Sequence, residues 1–233
     1  MTKKHLLPCL AVLMLLCQCA GKHKTAKNYT ITPETSSSQE LIAAALKAGN
    51  ASEQAFHTGT RLQAKNEAEK GMALAARCIE RYPEEAGCYY YHAVNTGLFY
   101  QARVIGYQEG IKSMLSDLNQ VIHLNPAYEN AGAYRILGQV YTELPQTTLY
   151  PDGITRDLEK AEKYLQEAIN LAPDYPENLL SSADTLLKLE KTEQAHAHIQ
   201  KAKEKIPLWK RNTDYMRWID QTKKLEEKIA SKR

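Results

Sequence analysis

The stretch Ala161-Glu-Lys-Tyr-Leu165-Gln-Glu-Ala168-Ile-Asn-Leu-Ala-Pro173 is matched further along by Ala195-His-Ala-His-Ile199-Gln-Lys-Ala202-Lys-Glu-Lys-Ile-Pro207. Four positions recur at a spacing of 34 residues: a small residue, a large apolar one, a second small one, and a proline. A helix that crosses its partner closely needs the small residues, the apolar side chain fills the space between them, and proline ends the helix. Upstream, Tyr134, Leu137, Gly138 and Tyr141 stand at i, i+3, i+4 and i+7, one face of a preceding helix in which glycine admits a close neighbour.

A 34-residue period of this kind is that of the tetratricopeptide repeat (TPR), a pair of antiparallel helices. Gly138 lies 23 residues before Ala161, about eleven more than in a regular repeat. The excess is Leu144 to Arg156, where Pro145, Pro151 and Asp152-Gly153 mark a structured loop. Met114, Leu118, Val121 and Pro126 repeat the second-helix spacing upstream, and Gly71, Ala75, Cys78 and Pro83 do so more loosely. Pro83 and Pro126 are 43 residues apart, so Tyr100 to Gly110 is expected as a second extended connection, following a helix over Tyr89 to Phe99. These marks predict four helix pairs, the earliest beginning near Ala51, and a last helix from about Thr213 to Ser231. That helix carries Tyr215, Trp218, Ile219, Thr222, Leu225 and Ile229 on one stripe, the solvating cap an open stack requires. The expected fold class is all-α, a TPR-like right-handed superhelix of antiparallel helix pairs (an α-solenoid) with a C-terminal capping helix.

Composition agrees with a folded, helical chain: of 233 residues 43% are hydrophobic, 24% charged, and only 11 are Gly and 9 Pro. With 30 basic against 27 acidic residues, a nucleic-acid partner is not expected. Most of the large rings are Tyr (14, against 2 Trp and 2 Phe), which suits half-buried, groove-lining positions. Lys3 and Lys4 precede an apolar run, Leu6 to Leu16, of signal-peptide length and too short to span a bilayer. Leu16-Cys17-Gln18-Cys19 resembles a lipobox, with Cys19 the expected lipid acceptor and Cys17 the other candidate; plain secretion is the alternative. Ala20, and not Asp, follows Cys19, which by resemblance to Gram-negative sorting signals directs the lipoprotein to the outer membrane, facing the periplasm. The expected organisation is therefore a signal peptide over 1–18, a flexible tether over 19–38, TPR-like repeats over 39–207, and a capping helix over 208–233.

The block Gly87-Cys-Tyr-Tyr-Tyr-His-Ala-Val-Asn-Thr-Gly-Leu, with Met114, Leu118, Asn125-Pro-Ala-Tyr128, Gly132-Ala-Tyr-Arg-Ile-Leu-Gly138, Tyr141, Leu144-Pro145 and Leu171-Ala-Pro-Asp-Tyr-Pro-Glu-Asn178, resembles the TatT component family of TRAP transporters. The likeness covers roughly residues 65–205. It implies a periplasmic TPR lipoprotein that associates with the solute-binding subunit of a tripartite ATP-independent periplasmic transporter.

The seven histidines show no metal-ligand spacing, and neither a phosphate-cradling Gly-rich loop nor Gly-x-Ser-x-Gly occurs, so no metal, cofactor or enzymatic activity is expected. Cys78 and Cys88 are the cysteines remaining in a compartment that permits disulfides; they either bridge successive helices or lie as two small buried side chains between them. First helices line the concave side of such a stack, where Tyr91, Asn95 and Phe99, then Arg135, Gln139 and Thr142, then Leu180, Asp184 and Leu187 fall off the core stripe. An Arg between Tyr and Asn in a groove suits an extended peptide or a carboxylate; otherwise Arg135 pairs with a neighbouring acid. The leading function is an adaptor for a solute-binding protein in solute uptake; the alternative is an outer-membrane TPR scaffold for envelope, pilus or outer-membrane-protein assembly. Self-association into a homo-oligomer is left open.

Overall fold

The computed structural model describes residues 36–103 and 105–231. The signal peptide, Cys19 and the tether up to residue 35 lie outside the described residues. Helix α1 (Ser38–His57) opens on a capping box: the Glu40 N–H donates to Ser37 Oγ at 3.3 Å, and the Ser37 N–H donates to Glu40 Oε2 at 2.8 Å. A turn over 58–60 leads into α2 (Arg61–Arg81), and α3 (Ala86–Arg103) and α4 (Tyr107–Leu124) form the next pair. The third pair is α5 (Tyr128–Glu143) and α6 (Leu158–Leu171), and the fourth is α7 (Pro176–Lys188) and α8 (Thr192–Lys205). A 3-10 turn, Ile206–Trp209, then leads to α9 (Tyr215–Ala230). The described residues are all-α with no strand, an α-solenoid of helix pairs.

Partners within each pair run antiparallel. Ser52 Oγ donates to the Ala64 carbonyl at 2.8 Å across α1 and α2, and His92 meets Asp117 at 2.7 Å across α3 and α4. In the third pair a Cβ on Gly138 would stand 2.4 Å from Leu165 Cγ, so only glycine allows that crossing. Ala161, Leu165 and Ala168, and their counterparts Ala195, Ile199 and Ala202, are all fully buried, each set against its own first helix. Trp218, also fully buried, packs edge-to-face on Tyr175 and Trp209 at 5.4 and 6.4 Å between ring centroids and so closes the stack with α9.

Two expectations differ from the structure. Residues 100–110 are not an extended connection: α3 runs on to Arg103 and α4 begins at Tyr107. The surplus lengthens both helices to 18 residues, with Gly106, at φ 77°, just ahead of α4. The first pair begins at Ser38 and not near Ala51; Ser36 and Ser38 are buried, so the end of the serine run belongs to the folded body. Residues 144–157 do form a loop, held down by its own backbone and by α4. The Gln108 amide pairs both ways with the Ile154 peptide, at 2.9 and 2.8 Å, and Lys112 bonds Asp152.

Candidate functional site: the inner row of helices

Alternate helices stand side by side and parallel, making an inner row of α1, α3, α5, α7 and α9 with α2, α4, α6 and α8 behind it. Polar side chains stitch the row. Asn95 Nδ2 donates to the Ala45 carbonyl at 3.2 Å, Tyr91 Oη to Glu129 Oε1 at 2.9 Å, Gln139 Nε2 to Ser181 Oγ at 2.9 Å, and Lys228 Nζ to Asp184 Oδ1 at 2.7 Å. Glu53 of α1 lies within electrostatic reach of Arg217 and Asp214 near the start of α9. Partial burial raises its carboxyl above the usual range, Asp214 and Glu177 add to the rise, and Arg217 and His57 oppose it.

Three of the expected groove residues are not open to the groove. Tyr91, Asn95 and Arg135 are 6%, 0% and 6% exposed, and each is built into a contact between helices. The reason is the lateral neighbour: a side chain off the stripe facing its own pair partner still meets the next helix of the inner row. Asn95 wedges between Gly49 and Gly71, where a Cβ on Gly71 would stand 2.0 Å from its Oδ1, and its Nδ2 also donates to the Tyr91 carbonyl at 2.7 Å.

Among the described residues Arg135 forms no ion pair with a neighbouring carboxylate. Its Nη1 donates to Asn178 Oδ1 at 3.0 Å and to the Asn130 carbonyl at 3.2 Å, and its guanidinium lies 4.8 Å from the Tyr175 ring centroid. Those carbonyls face it because Glu129, Asn130 and Ala131 at the start of α5 take left-handed φ values of 50°, 55° and 59°. Such geometry costs roughly 1–2 kcal/mol per residue, which the arginine and the Asn178 Nδ2 bond to the same Asn130 carbonyl, at 3.2 Å, help to offset.

Phe99, Gln139 and Asp184 remain partly exposed on the inner row. Lys65 and Arg103 lie 5.7 and 5.8 Å from the Phe99 ring centroid. Asp184 bonds Lys188 at 3.3 Å as well as Lys228; burial would raise its pKa, but the two lysines outweigh it and hold the carboxyl below the usual range. Glu177 behaves likewise: burial raises its pKa, and Arg135 and the Arg217 bond at 2.7 Å bring it below normal. Burial and the nearby Glu129 push the Tyr128 hydroxyl up to about 12, and burial does the same to Tyr175, so both stay neutral. Thr142, Leu180 and Leu187 are buried.

Two cavities open on this row. The larger, about 610 Å³, lies between α3, α4 and α5 and is walled mainly by apolar groups, among them Met114, Ile136 and Val140. The smaller, about 320 Å³, lies between α5, α7 and α9 and brings Gln139 and Asp184 together with Ser181 and Gln221. Gln139 and Glu143 line both. The cavities as such have no mark in the sequence, although Gln139, Thr142 and Asp184, which line the smaller one, are among the residues that their off-stripe position singled out.

Cys78 and Cys88 are bonded, tying the last turn of α2 to the first turn of α3 with their Cα atoms 5.3 Å apart. Among the described residues no group of three or more His, Cys, Asp or Glu converges on a metal position, and no helix is long and apolar enough to cross a membrane. Ser182 and His198 meet at 3.0 Å, but Ser182 is buried in the α7–α8 interface, where the contact joins helices.

Paired helices in two layers, stacked laterally through the first of each pair, define an α-solenoid. Among solved structures, a thermophilic TPR protein of Thermus thermophilus is similar, with a TM-score of 0.49, 18% identity, and coverage of 79% of this chain and 98% of that one. No family model matches the chain, and no curated protein does.

Proposed function

We propose that the protein is a periplasm-facing lipoprotein, anchored through Cys19, that serves as a protein-binding adaptor for the solute-binding subunit of a TRAP-type transporter. The observation that carries the binding role is the inner row itself, which leaves Glu53 and Glu129 exposed, Glu129 beside the half-buried Tyr128 and bonded to the buried Tyr91 hydroxyl. The resemblance of the Gly87–Leu98 and Gly132–Gly138 helices to the TatT family supports the choice of partner. Exposed acids interleaved with neutral phenols suit a partner segment that presents Lys or Arg.

Capture of the solute-binding subunit by the immobilised mature chain tests the reading. Glu53→Arg with Phe99→Ala leaves the buried contacts untouched and is expected to weaken capture at least tenfold, about 1.4 kcal/mol, with an unchanged thermal melt. Unchanged capture would move the interface off the inner row. Capture of an envelope-assembly factor in place of the solute-binding subunit would replace the partner. Cys19→Ser is expected to release the protein from membranes into the soluble fraction; continued membrane fractionation of this variant and of a Cys17→Ser, Cys19→Ser double variant would overturn the anchor.

A further inference from the structure

We infer that the two cavities on the inner row form one binding site for a small amphipathic molecule, an apolar tail with an uncharged hydroxyl- or amide-bearing head. This site does not depend on the choice of protein partner above.

The shape follows from how α5 is set. Its N-terminal half is pinned to α3 through Tyr91 and Glu129 and to α7 through Arg135 and Asn178. Beyond these contacts the C-terminal halves of α3 and α5 are separated by the larger cavity, whose volume falls in the range of small-molecule sites. Its wall is mainly apolar and offers Met114, Ile136 and Val140 to a ligand; Gln101, Tyr100 and Tyr107 also line it, and Gln139 and Glu143 form its edge on α5. That edge is where the smaller cavity begins, with a predominantly polar lining. The two compartments therefore differ in chemistry and meet at the Gln139 and Glu143 edge of α5, so that a molecule with an apolar and a polar end can lie across that edge.

The charges around the polar compartment define the head. Gln139 Nε2 is engaged by Ser181 Oγ at 2.9 Å, leaving the amide oxygen as an acceptor and the serine hydroxyl as a donor. Glu143 and Asp184 are already neutralised, Glu143 by Lys188 and Asp184 by Lys188 and Lys228. A carboxylate head would meet both acids, and an ammonium head would have to displace a lysine. A hydroxyl or amide can bond to Gln139 and Ser181 without disturbing either pair.

The test uses the full mature chain and 1-monolauroylglycerol below its aggregation concentration, with laurate and dodecylammonium as charged counterparts of the same tail length. Calorimetry is expected to show saturable binding of the glyceride in preference to both ions. Val140→Trp, which fills the apolar compartment, should weaken it at least tenfold. Gln139→Leu should weaken it about fivefold and narrow the preference over laurate. Circular-dichroism melts confirm that each variant is folded; if Val140→Trp is not, Ile136→Phe takes its place with the same expected loss. Absence of saturable glyceride binding by the wild type, binding indifferent to the substitutions, or a preference for either ion would overturn the assignment. So would a self-association seen by sedimentation that Val140→Trp abolishes in a protein that binds no glyceride, since a second copy would then occupy the groove.

Discussion

The first two helix pairs and the last two are held together by different devices. In the N-terminal half the helices are long, 18 to 21 residues, and lateral cohesion comes from close approach: Asn95 lodged between Gly49 and Gly71, and the Cys78–Cys88 bond. In the C-terminal half the helices are 13 to 16 residues, and neighbours along the inner row are joined by polar side chains: Arg135 with Asn178, Gln139 with Ser181, Glu177 with Arg217, and Asp184 with Lys228. Nearest-neighbour coupling governs stacks of this kind, so each device should stabilise its own half and leave the other largely indifferent.

The largest effect expected is from Gly71→Leu. With 2.0 Å between its Cβ position and Asn95 Oδ1, the substitution must separate α2 from α3, at a cost of about 3 kcal/mol. A thermal melt should fall sharply, and near-wild-type stability would mean that Asn95 is free to move aside. Next is the double replacement Cys78→Ser and Cys88→Ser, expected to cost about 2–3 kcal/mol by the loop-closure argument for so short a loop. Mass spectrometry of the oxidised wild type should find both thiols blocked to alkylation. Arg135→Ala should cost about 1–3 kcal/mol, because it leaves Asn178 and the Asn130 carbonyl short of a buried partner beside a left-handed turn. A neutral result in denaturant titration would show that the turn holds without its clamp. The smallest effect is acid sensitivity of the α7–α9 contact. Asp184 and Glu177 are held below their usual pKa in the fold, so their pairs stabilise it above about pH 4, and that contribution is lost as the pH falls through the depressed values. Lys228→Met should flatten the response; an identical acid profile in that variant would remove Asp184 from the account.

What was legible in the sequence follows the same division. Ala161, Leu165 and Ala168 announce their helix because a helix pair of standard length brings the same contacts back after 34 residues, at Ala195, Ile199 and Ala202. Where α3 and α4 are longer the period stretches, and residues 100–110 read as a connection although they continue both helices. Ser37 and Glu40 did carry a capping signature, but inside a serine run that also reads as tether. Tyr91, Asn95 and Arg135 looked free because helical periodicity identifies only one buried face, and the second contact, to the next helix of the row, depends on how pairs stack. Of Glu129, Asn130 and Ala131 in the left-handed turn, only Asn130 is of a type that readily adopts that conformation, and its carbonyl accepts from Arg135 and Asn178.

Hydrogen exchange read by mass spectrometry, on the oxidised protein and after reduction of Cys78–Cys88, tests the division most directly. Faster exchange is expected in α1, α2 and α3 on reduction, with protection in α7, α8 and α9 unchanged. Equal loosening along the whole chain, or loosening confined to the C-terminal helices, would contradict it.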